Sequence, residues 1–373
     1  MKIKILKLID IFIGKFLCLF LGYIDYLFNL TSKHITTPQP HKILFIRPGG
    51  MGDFLYLFPA LSLVKKHFPK AAIHVLAEKR NQGVKNLTKS IDRIICYDKN
   101  PFETIVTLWR ENYDVVIDTE QFHNFSGVFA YLTRAKVRIG FKTNPFRNHL
   151  YTNLINYSLN GQEASEFLHL LEPIEIKNEK ILFEEYISLE KIKSTPLPKD
   201  FSQLKKRYGS IVIISPRGQA RYRYWSPEKY GELIQHLIKN PEQAVILIGG
   251  NLEKNIASEI MQSIANPNHQ LLSLVGNTSL LELCHMILES NLFMGCDSGV
   301  AILSVLLGIK SVILFGSADE NKWGIKKENF RVVRKNLPCS PCQMLGNHKF
   351  CKSIDCMEKI SAQDVIKTID NFN

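Results

Sequence analysis

The chain has 373 residues, of which 45% are apolar and 22% charged, and this composition excludes collagen-like repeats, low-complexity disorder and a multi-span membrane protein. At roughly 100–200 residues per domain, a chain of this length predicts two domains. Lys and Arg number 47 against 35 Asp and Glu, so the net charge of +12 favours acidic partners: nucleic acid, anionic lipid or phosphorylated substrates.

The first 40 residues combine lysines with an apolar segment. The lysines are Lys2, Lys4, Lys7 and Lys15. The longest unbroken apolar run, Phe16–Ile24, is far shorter than the roughly 20 residues that cross a bilayer. No small-residue cleavage site follows it, so we expect the segment to stay on the mature chain. Two interpretations fit this composition equally: an interfacial helix on anionic lipid, or a helix packed on the rest of the chain.

From residue 42 onward, short apolar runs alternate with helical stretches, which is the pattern of α/β domains. The predicted strands of the first half are Lys42–Arg47, Ala72–Ala77, Arg93–Asp98 and Tyr113–Thr119. A charged stretch around Lys191–Lys206 follows, and the pattern then resumes with Ser210–Ser215, Ala244–Ile248, Leu271–Val275, Asn291–Gly295 and Ser311–Phe315. Such runs fit parallel strands buried on both faces. The sequence therefore predicts two doubly wound sheets with ligands at their carboxyl ends, and a cleft between the domains as active site.

A glycine-rich loop follows the first predicted strand, in Arg47-Pro-Gly-Gly-Met-Gly-Asp53, and a helix is predicted over Phe54–His67. Its glycines, Gly49, Gly50 and Gly52, allow a sharp turn and a close approach to a ligand. Their spacing matches neither the dinucleotide fingerprint nor the P-loop. Asp53 is either the cap of the helix or a functional carboxylate at the strand end.

A basic loop follows the first strand of the second half. It contains Arg217, Arg221 and Arg223 and leads into a helix that begins near Ser226. Cationic side chains at a strand end suit a diphosphate, although a solvated loop has the same composition.

Two further strand ends carry carboxylates. Glu253 follows the Gly249-Gly250 turn and either accepts hydrogen bonds from ribose hydroxyls or begins a helix. Asp297, Ser298 and Gly299 precede a helix predicted over Val300–Leu307, and there the backbone amides and the Ser298 hydroxyl either bind a phosphate or cap the helix.

Four of the eight cysteines lie within 18 residues near the C terminus. They are Cys339, Cys342, Cys351 and Cys356. Their spacing fits a structural zinc site of four thiolates, packed reduced thiols or two local disulfides, and a reducing cytosol favours the thiols over the disulfides.

In combination these motifs resemble the lipopolysaccharide heptosyltransferases, glycosyltransferase family 9, from Lys42 to the C terminus. The resemblance rests on RPGGMGDFLYLFPAL, the Arg-x-Trp of RYRYWSPEKY, GGNLEK, GCDSG and PCSPC, in that order. It implies a GT-B fold with an N-terminal segment at 1–40, an acceptor-binding domain at 41–195 and a nucleotide-sugar-binding domain at 205–355. A C-terminal helix within 356–373 would cross back to the first domain.

The resemblance also implies roles for individual residues. Asp53 falls on the family's general base, and Arg47 with the three glycines forms the acceptor loop around it. Arg223, where Lys is commoner, would stabilise the departing diphosphate together with Arg221. Asp297, Ser298 and Gly299 match the element that holds the donor phosphates, and Glu253 lies near the carboxylate that contacts the nucleoside. Ile302 stands where the family usually has His.

The resemblance predicts an inverting, metal-independent transferase that moves heptose from ADP-heptose to lipopolysaccharide core or a related acidic lipid-linked glycan. We expect a cytoplasmic monomer in peripheral contact with the anionic inner face of the inner membrane. The alternatives are a GT-B enzyme that uses a UDP- or GDP-sugar on another glycan, and a basic scaffold without catalysis. A nucleic-acid partner is not expected, because no helix-turn-helix, zinc-finger or RNP-type signature accompanies the charge.

Overall fold

The structure is a computed structural model that describes residues 8–28, 39–177, 186–217, 221–264, 269–325, 327–344, 347–348, 351 and 353–372. The chain divides into two compact units, Met1–Ser188 and Leu189–Asn373. Our prediction ended the first domain at 195, whereas the structure assigns the helix that begins at Leu189 to the second unit.

The first unit opens with a helix, α1 (Asp10–Phe28), whose first residues, Asp10–Gly14, are π-helical. Six strands and six further helices follow in alternation. They are β1 (Lys42–Ile46), α2 (Met51–Leu55), α3 (Phe58–His67), β2 (Ala72–Ala77), β3 (Arg93–Cys96), α4 (Pro101–Arg110), β4 (Val115–Asp118), α5 (Asn124–Leu132), β5 (Val137–Phe141), α6 (Pro145–Asn148), β6 (Asn153–Ile155) and α7 (Glu163–His169).

The six strands of this unit form one parallel sheet in the order β3-β2-β1-β4-β5-β6. The central strands are buried on both faces, because β-branched and apolar side chains occupy almost every position of β1 and β4. This is the strand order of dinucleotide-binding folds, in which the direction of the chain reverses between the first and fourth strands.

The second unit repeats the alternation. Its elements are α8 (Leu189–Lys193), α9 (Lys199–Arg207), β7 (Ser210–Ser215), α10 (Pro227–Leu237), β8 (Gln243–Leu247), α11 (Lys254–Gln262), β9 (Leu271–Ser273), α12 (Leu280–Leu288), β10 (Leu292–Cys296), α13 (Gly299–Leu306), β11 (Lys310–Leu314), α14 (Glu320–Trp323), β12 (Phe330–Val333), β13 (Gln343–Met344), β14 (Asn347–His348), α15 (Asp355–Glu358) and α16 (Ala362–Asp370).

The second sheet runs β12-β11-β10-β7-β8-β9, all parallel, and a two-stranded antiparallel hairpin joins β13 to β14. Counted from β7, this order has the same topology as the first sheet, with its reversal between β7 and β10. The prediction of two doubly wound parallel α/β sheets is confirmed.

The C-terminal helix α16 packs on α10, β11 and β12 of its own unit. Its apolar side, with Val365 and Ile366, joins the core around Trp225 and Tyr230. Trp225 also donates a hydrogen bond from Nε1 to the carbonyl of Ile360, 2.9 Å away. The expected crossing of this segment to the first domain stays a prediction.

Candidate active site

Apart from Glu253, which follows β8, and the C-terminal cysteines, the predicted functional residues lie in loops that follow the strands at the two reversal points. In the first sheet these are the loops after β1 and β4, and in the second the loops after β7 and β10. Ligands of open α/β sheets bind at such points, because the loops on the two sides turn in opposite directions and leave a crevice.

Arg47 joins the two loops of the first unit. Its side chain is almost fully buried, and Nη1 donates to the carbonyl of Thr119 after β4, 2.9 Å away. Nη2 lies 3.6 Å from Oδ2 of Asp53, and the guanidinium also packs over the ring of Phe167. Arg47 is therefore a fixed buried cation that reaches the carboxylate at the start of the helix.

Asp53 does act at the start of a helix, but not as its first residue. The helix begins at Met51 rather than at Phe54 as predicted, because Gly50 with extended backbone ends the loop. Oδ2 of Asp53 accepts a hydrogen bond of 3.0 Å from the amide of Gly50. The Asp53 side chain nevertheless keeps 32% of its surface exposed, so capping leaves the carboxylate accessible.

Gly49 is the glycine on which this arrangement depends. A Cβ at this position would lie 2.8 Å from both Nη2 of Arg47 and Oδ2 of Asp53, whereas one at Gly50 would meet Asp53 at an ordinary 3.7 Å. A side chain at position 49 would therefore require Arg47, Asp53 or both to shift from this arrangement.

Sequence reasoning missed the residues that follow β4. Glu120 and Gln121 are buried there, and the Gln121 amide donates to Glu163 of α7, which also accepts from the hydroxyl of Tyr157 at 2.6 Å. Burial works against the charge of Arg47, but Asp53, Glu120 and Glu163 hold its pKa above the usual value. The position of these carboxylates near Arg47 could have been inferred only from the pairing of β4 with β1.

Arg223 and Asp297 form the corresponding pair in the second unit. Nη2 of Arg223, in the loop after β7, lies 2.9 Å from Oδ2 of Asp297 at the end of β10. The contact is an ion pair without hydrogen-bond geometry, so this buried oxygen remains able to accept a hydrogen bond. The Arg223 side chain is 29% exposed and that of Asp297 only 9%, which leaves the cation accessible.

Ser298 caps the helix that follows. Its hydroxyl oxygen accepts the amide of Ala301 at 3.2 Å, so the capping interpretation is correct for this residue. The amides of Gly299 and Val300 belong to the first turn of α13, where no preceding helical carbonyl can accept them, and they are suited to an anion.

Glu253, like Asp53, accepts a hydrogen bond from the amide three residues before it. Its Oε2 accepts a hydrogen bond of 3.0 Å from the amide of Gly250, and the side chain is buried. The second oxygen, Oε1, lies 3.7 Å from Nη1 of Arg217 and has no hydrogen-bond donor among the described residues. One oxygen therefore fixes the turn, and the other is buried beside Arg217.

Most of the chain matches a recognised protein family. A family model described as glycosyltransferase family 9 (heptosyltransferase) matches residues 103–351, which is 249 of the 373 residues. The chain belongs to glycosyltransferase family 9. The predicted family and the predicted enzyme class, a glycosyltransferase, are confirmed.

Individual relatives of this family 9 enzyme match over most of their length. Lipooligosaccharide heptosyltransferase 2 of Campylobacter jejuni is 22% identical over 346 residues, 89% of this chain and 98% of that protein. A family 9 glycosyltransferase of Veillonella parvula superposes with a TM-score of 0.71 at 16% identity, covering 89% and 97%. E. coli heptosyltransferase WaaC with ADP gives 0.69 at 17% identity, covering 89% and 100%. The shared fold is GT-B, as predicted.

Arg221 and the four C-terminal cysteines complete the predicted set of site residues. Arg221 lies in the short turn Arg221–Arg223, and its side chain is outside the described residues. The four C-terminal cysteines form no disulfide in the part of the chain that the structure describes. They lie in one region, since burial and then the thiols of Cys342, Cys351 and Cys339 raise the pKa of Cys356.

In the positions that the structure gives them, these cysteines fit a metal ion poorly. Among the residues that the structure describes, no three His, Cys, Asp or Glu side chains form a group that could hold an ion. The thiol of Cys351 instead donates to the carbonyl of Ser353 at 2.5 Å. A structural zinc stays a prediction, and metal analysis of freshly purified, unchelated enzyme tests it.

Proposed function

We propose that the enzyme transfers heptose from ADP-heptose to a hydroxyl of lipopolysaccharide core or a related acidic lipid-linked glycan, with inversion at the anomeric carbon. The relatives named above support heptose as the sugar, since the curated one is a heptosyltransferase and a solved one is a heptosyltransferase with ADP. The chain's charge of +12 favours an acidic acceptor.

The observation that carries this proposal is the opposite exposure of the two ion pairs. In the first unit the carboxylate is the accessible partner, at 32% against 4% for Arg47. In the second unit the cation is the accessible partner, at 29% against 9% for Asp297. Glycosyl transfer from a nucleoside diphosphate requires both: a base for the acceptor hydroxyl and a positive group for the leaving diphosphate.

The proposed reaction is a single displacement. The acceptor oxygen attacks the anomeric carbon while its proton passes to a carboxylate oxygen of Asp53, and the bond from that carbon to the diphosphate oxygen breaks. The electron pair leaves with the diphosphate. Arg223 and the amides of Gly299 and Val300 stabilise this charge, as preorganised hydrogen-bond donors do. Arg47 holds Asp53 in place without itself contacting the reacting atoms.

A specific observation favours a second candidate donor. Ile302, at the position where the family usually has His, is buried and lines a small void beside Asp297 with Trp323 and Phe315. An isoleucine cannot donate a hydrogen bond to a hydroxyl of the sugar or nucleotide. The alternative is therefore a transferase of this fold that uses a UDP- or GDP-sugar on another surface glycan.

A thermal-shift panel of ADP, UDP, GDP and CMP tests the donor, because a ligand that binds only the folded state raises its melting temperature. We expect a shift with ADP alone, followed by release of ADP when ADP-heptose and a truncated lipopolysaccharide core acceptor are combined. A shift with UDP or GDP alone would indicate that the donor is a UDP- or GDP-sugar instead. No shift with any of the four contradicts catalysis and favours a scaffold.

A further inference from the structure

Helix α1 (Asp10–Phe28) is, among the described residues, the one helix whose length and apolar composition would allow it to cross a membrane. Only 11% of its most apolar window is buried within the protein. A core helix of the same composition would be mostly buried, so the exposed surface of α1 needs an explanation.

One side of α1 is fixed to the first unit by specific polar bonds. The buried carboxylate of Asp10 accepts the amides of Asn124 and Phe125, at 3.1 and 2.8 Å, and so caps the start of α5. At the other end, Asp25 accepts the hydroxyl of Tyr131 in the last turn of α5 at 3.2 Å. Both acidic residues of the helix thus face the fold.

Small residues bring α1 close to its partners along this same side. A Cβ at Gly14 would lie 3.0 Å from that of Asn124, and one at Gly22 would overlap the ring of His149. His149 also contacts the carbonyl of Cys18 through Nε2, at 2.9 Å. Asp10, Gly14, Cys18 and Gly22 are four positions apart, so they lie on one face of the helix. The helix is an integral part of the first unit.

The opposite side of α1 and the residues before it are almost entirely large and apolar. Of the eighteen large apolar side chains that the described residues expose, twelve lie between positions 8 and 28. Phe12, Phe16, Tyr23, Tyr26 and Phe28 are each exposed by 60% or more. A contiguous apolar surface of this kind marks a site of association with lipid or protein.

The charge that borders this side is basic. With Asp10 and Asp25 turned to the fold, Lys15 is the remaining ionised side chain of α1, and its Nζ packs on α6, 3.8 Å from the ring centre of Phe146. The sequence adds Lys2, Lys4 and Lys7 before the helix, outside the described residues. Apolar side chains bordered by lysines are complementary to an anionic bilayer surface, in which acyl chains lie beneath negative headgroups.

We propose that α1 lies flat in the interface of an anionic bilayer and holds the enzyme on the membrane while it stays docked on α5. A spanning orientation conflicts with the bonds described above, because it would take the hydrogen bonds of Asp10 and Asp25 away from the fold or into hydrocarbon. The ligand of this surface is lipid.

Vesicle sedimentation of the full chain tests the proposal with a matched pair of variants. The double variant Phe12→Ser, Phe16→Ser removes two exposed rings from α1, and Phe102→Ser makes the same change at an equally exposed ring on α4. We expect the wild type and Phe102→Ser to bind phosphatidylglycerol-containing vesicles at least tenfold more strongly than phosphatidylcholine vesicles. The double variant should lose at least tenfold, with an unchanged melting temperature.

The depth of two points on α1 distinguishes a flat helix from a spanning one. Phe12 and Tyr23 are both exposed, and eleven residues separate them by about 16 Å along the helix axis. Tryptophan introduced as Phe12→Trp or Tyr23→Trp should be quenched equally by lipids brominated at one depth. Unequal quenching, or retention of the wild type on membranes after an alkaline carbonate wash, overturns the flat orientation.

Two other outcomes also overturn the proposal. If the double variant sediments like the wild type, the exposed face does not bind lipid. If the wild type ignores vesicles but forms a dimer in light scattering that the double variant abolishes, the occupant of this face is a second copy of the chain. All readouts are binding measurements, so they remain valid whichever sugar the enzyme transfers.

Discussion

In the first unit the ion pair at the reversal of the sheet has a buried cation, Arg47, and an accessible carboxylate, Asp53, whereas the second unit buries the carboxylate, Asp297, and exposes the cation, Arg223. The strand order around the two pairs is the same. Each buried partner fixes the accessible one, and the accessible one decides which chemistry the loop offers.

The comparison shows how one fold can supply two different functions. A carboxylate held beside a buried arginine can accept a proton, while an arginine held beside a buried carboxylate presents its remaining donors to an anion. In the proposed mechanism, the role of each loop therefore follows from which member of the pair the local packing covers. Four substitutions test this, from the largest expected effect to the smallest.

Replacing Asp53 should have the largest effect. Asp53→Asn keeps the hydrogen bond from Gly50 but removes the base, so we expect kcat to fall by about 10²- to 10⁴-fold in a transfer assay. Asp114→Asn is the matched control, since this carboxylate accepts backbone amides at the amino end of β4, away from the site. Full activity of Asp53→Asn would remove Asp53 as the base.

Replacing Arg223 should affect use of the donor. Arg223→Ala deletes the accessible cation, so we expect kcat/KM for the sugar donor to fall by about 10²- to 10³-fold, with partial recovery in Arg223→Lys. Arg207→Ala on α9 serves as the control for loss of a positive charge from the same unit. An unchanged kcat/KM in Arg223→Ala would contradict its contact with the diphosphate.

The two neighbouring glycines should behave differently. Gly49→Ala forces Arg47 and Asp53 apart, since the new methyl lies 2.8 Å from both, and we expect kcat to fall by about tenfold to a hundredfold. Gly50→Ala introduces an ordinary contact and should stay within about twofold of the wild type. Equal kinetics for the two variants would show that the distance between Arg47 and Asp53 does not matter.

Glu253 should contribute least. Glu253→Gln keeps an oxygen for the amide of Gly250 but replaces the free carboxylate oxygen, so the donor KM should rise by about fivefold to tenfold while kcat stays constant. A fall in kcat with an unchanged KM would assign Glu253 to the chemical step instead of donor binding.

The sequence predicted the fold, and it indicated residues that the structure places at strand ends, because these signals are local. Apolar runs such as Lys42–Ile46 and Ser210–Ser215 carry the strand pattern, and the glycine loop and the Asp-Ser-Gly turn follow directly after strands. The strands β5, β6 and β12 were missed. Polar residues such as Arg138 and Asn153 interrupt the apolar pattern of these strands. In the fold, Nε of Arg138 donates to the carbonyl of Leu150, and Oδ1 of Asn153 accepts from the hydroxyl of the neighbouring Thr152.

What the sequence could not provide is the partner of each charged residue. The contact of Arg47 with Thr119 spans 72 positions, and that of Arg223 with Asp297 spans 74, so both depend on which strands are neighbours. The sequence also left open whether residues 1–29 pack on the protein. The bonds of Asp10 to α5 show that the described part of this segment, residues 8–28, packs on the protein on one side, because that side has matching polar groups 114 positions away.

The most direct test of the two opposite roles is calorimetric titration of the nucleoside diphosphate that the wild type binds, with ADP expected, into Asp53→Asn and Arg223→Ala. We predict that Asp53→Asn keeps the wild-type Kd within about twofold, whereas Arg223→Ala weakens binding by about tenfold or more, since a charge-assisted contact is lost. Weaker binding in Asp53→Asn together with unchanged binding in Arg223→Ala would contradict the assignment of the two units.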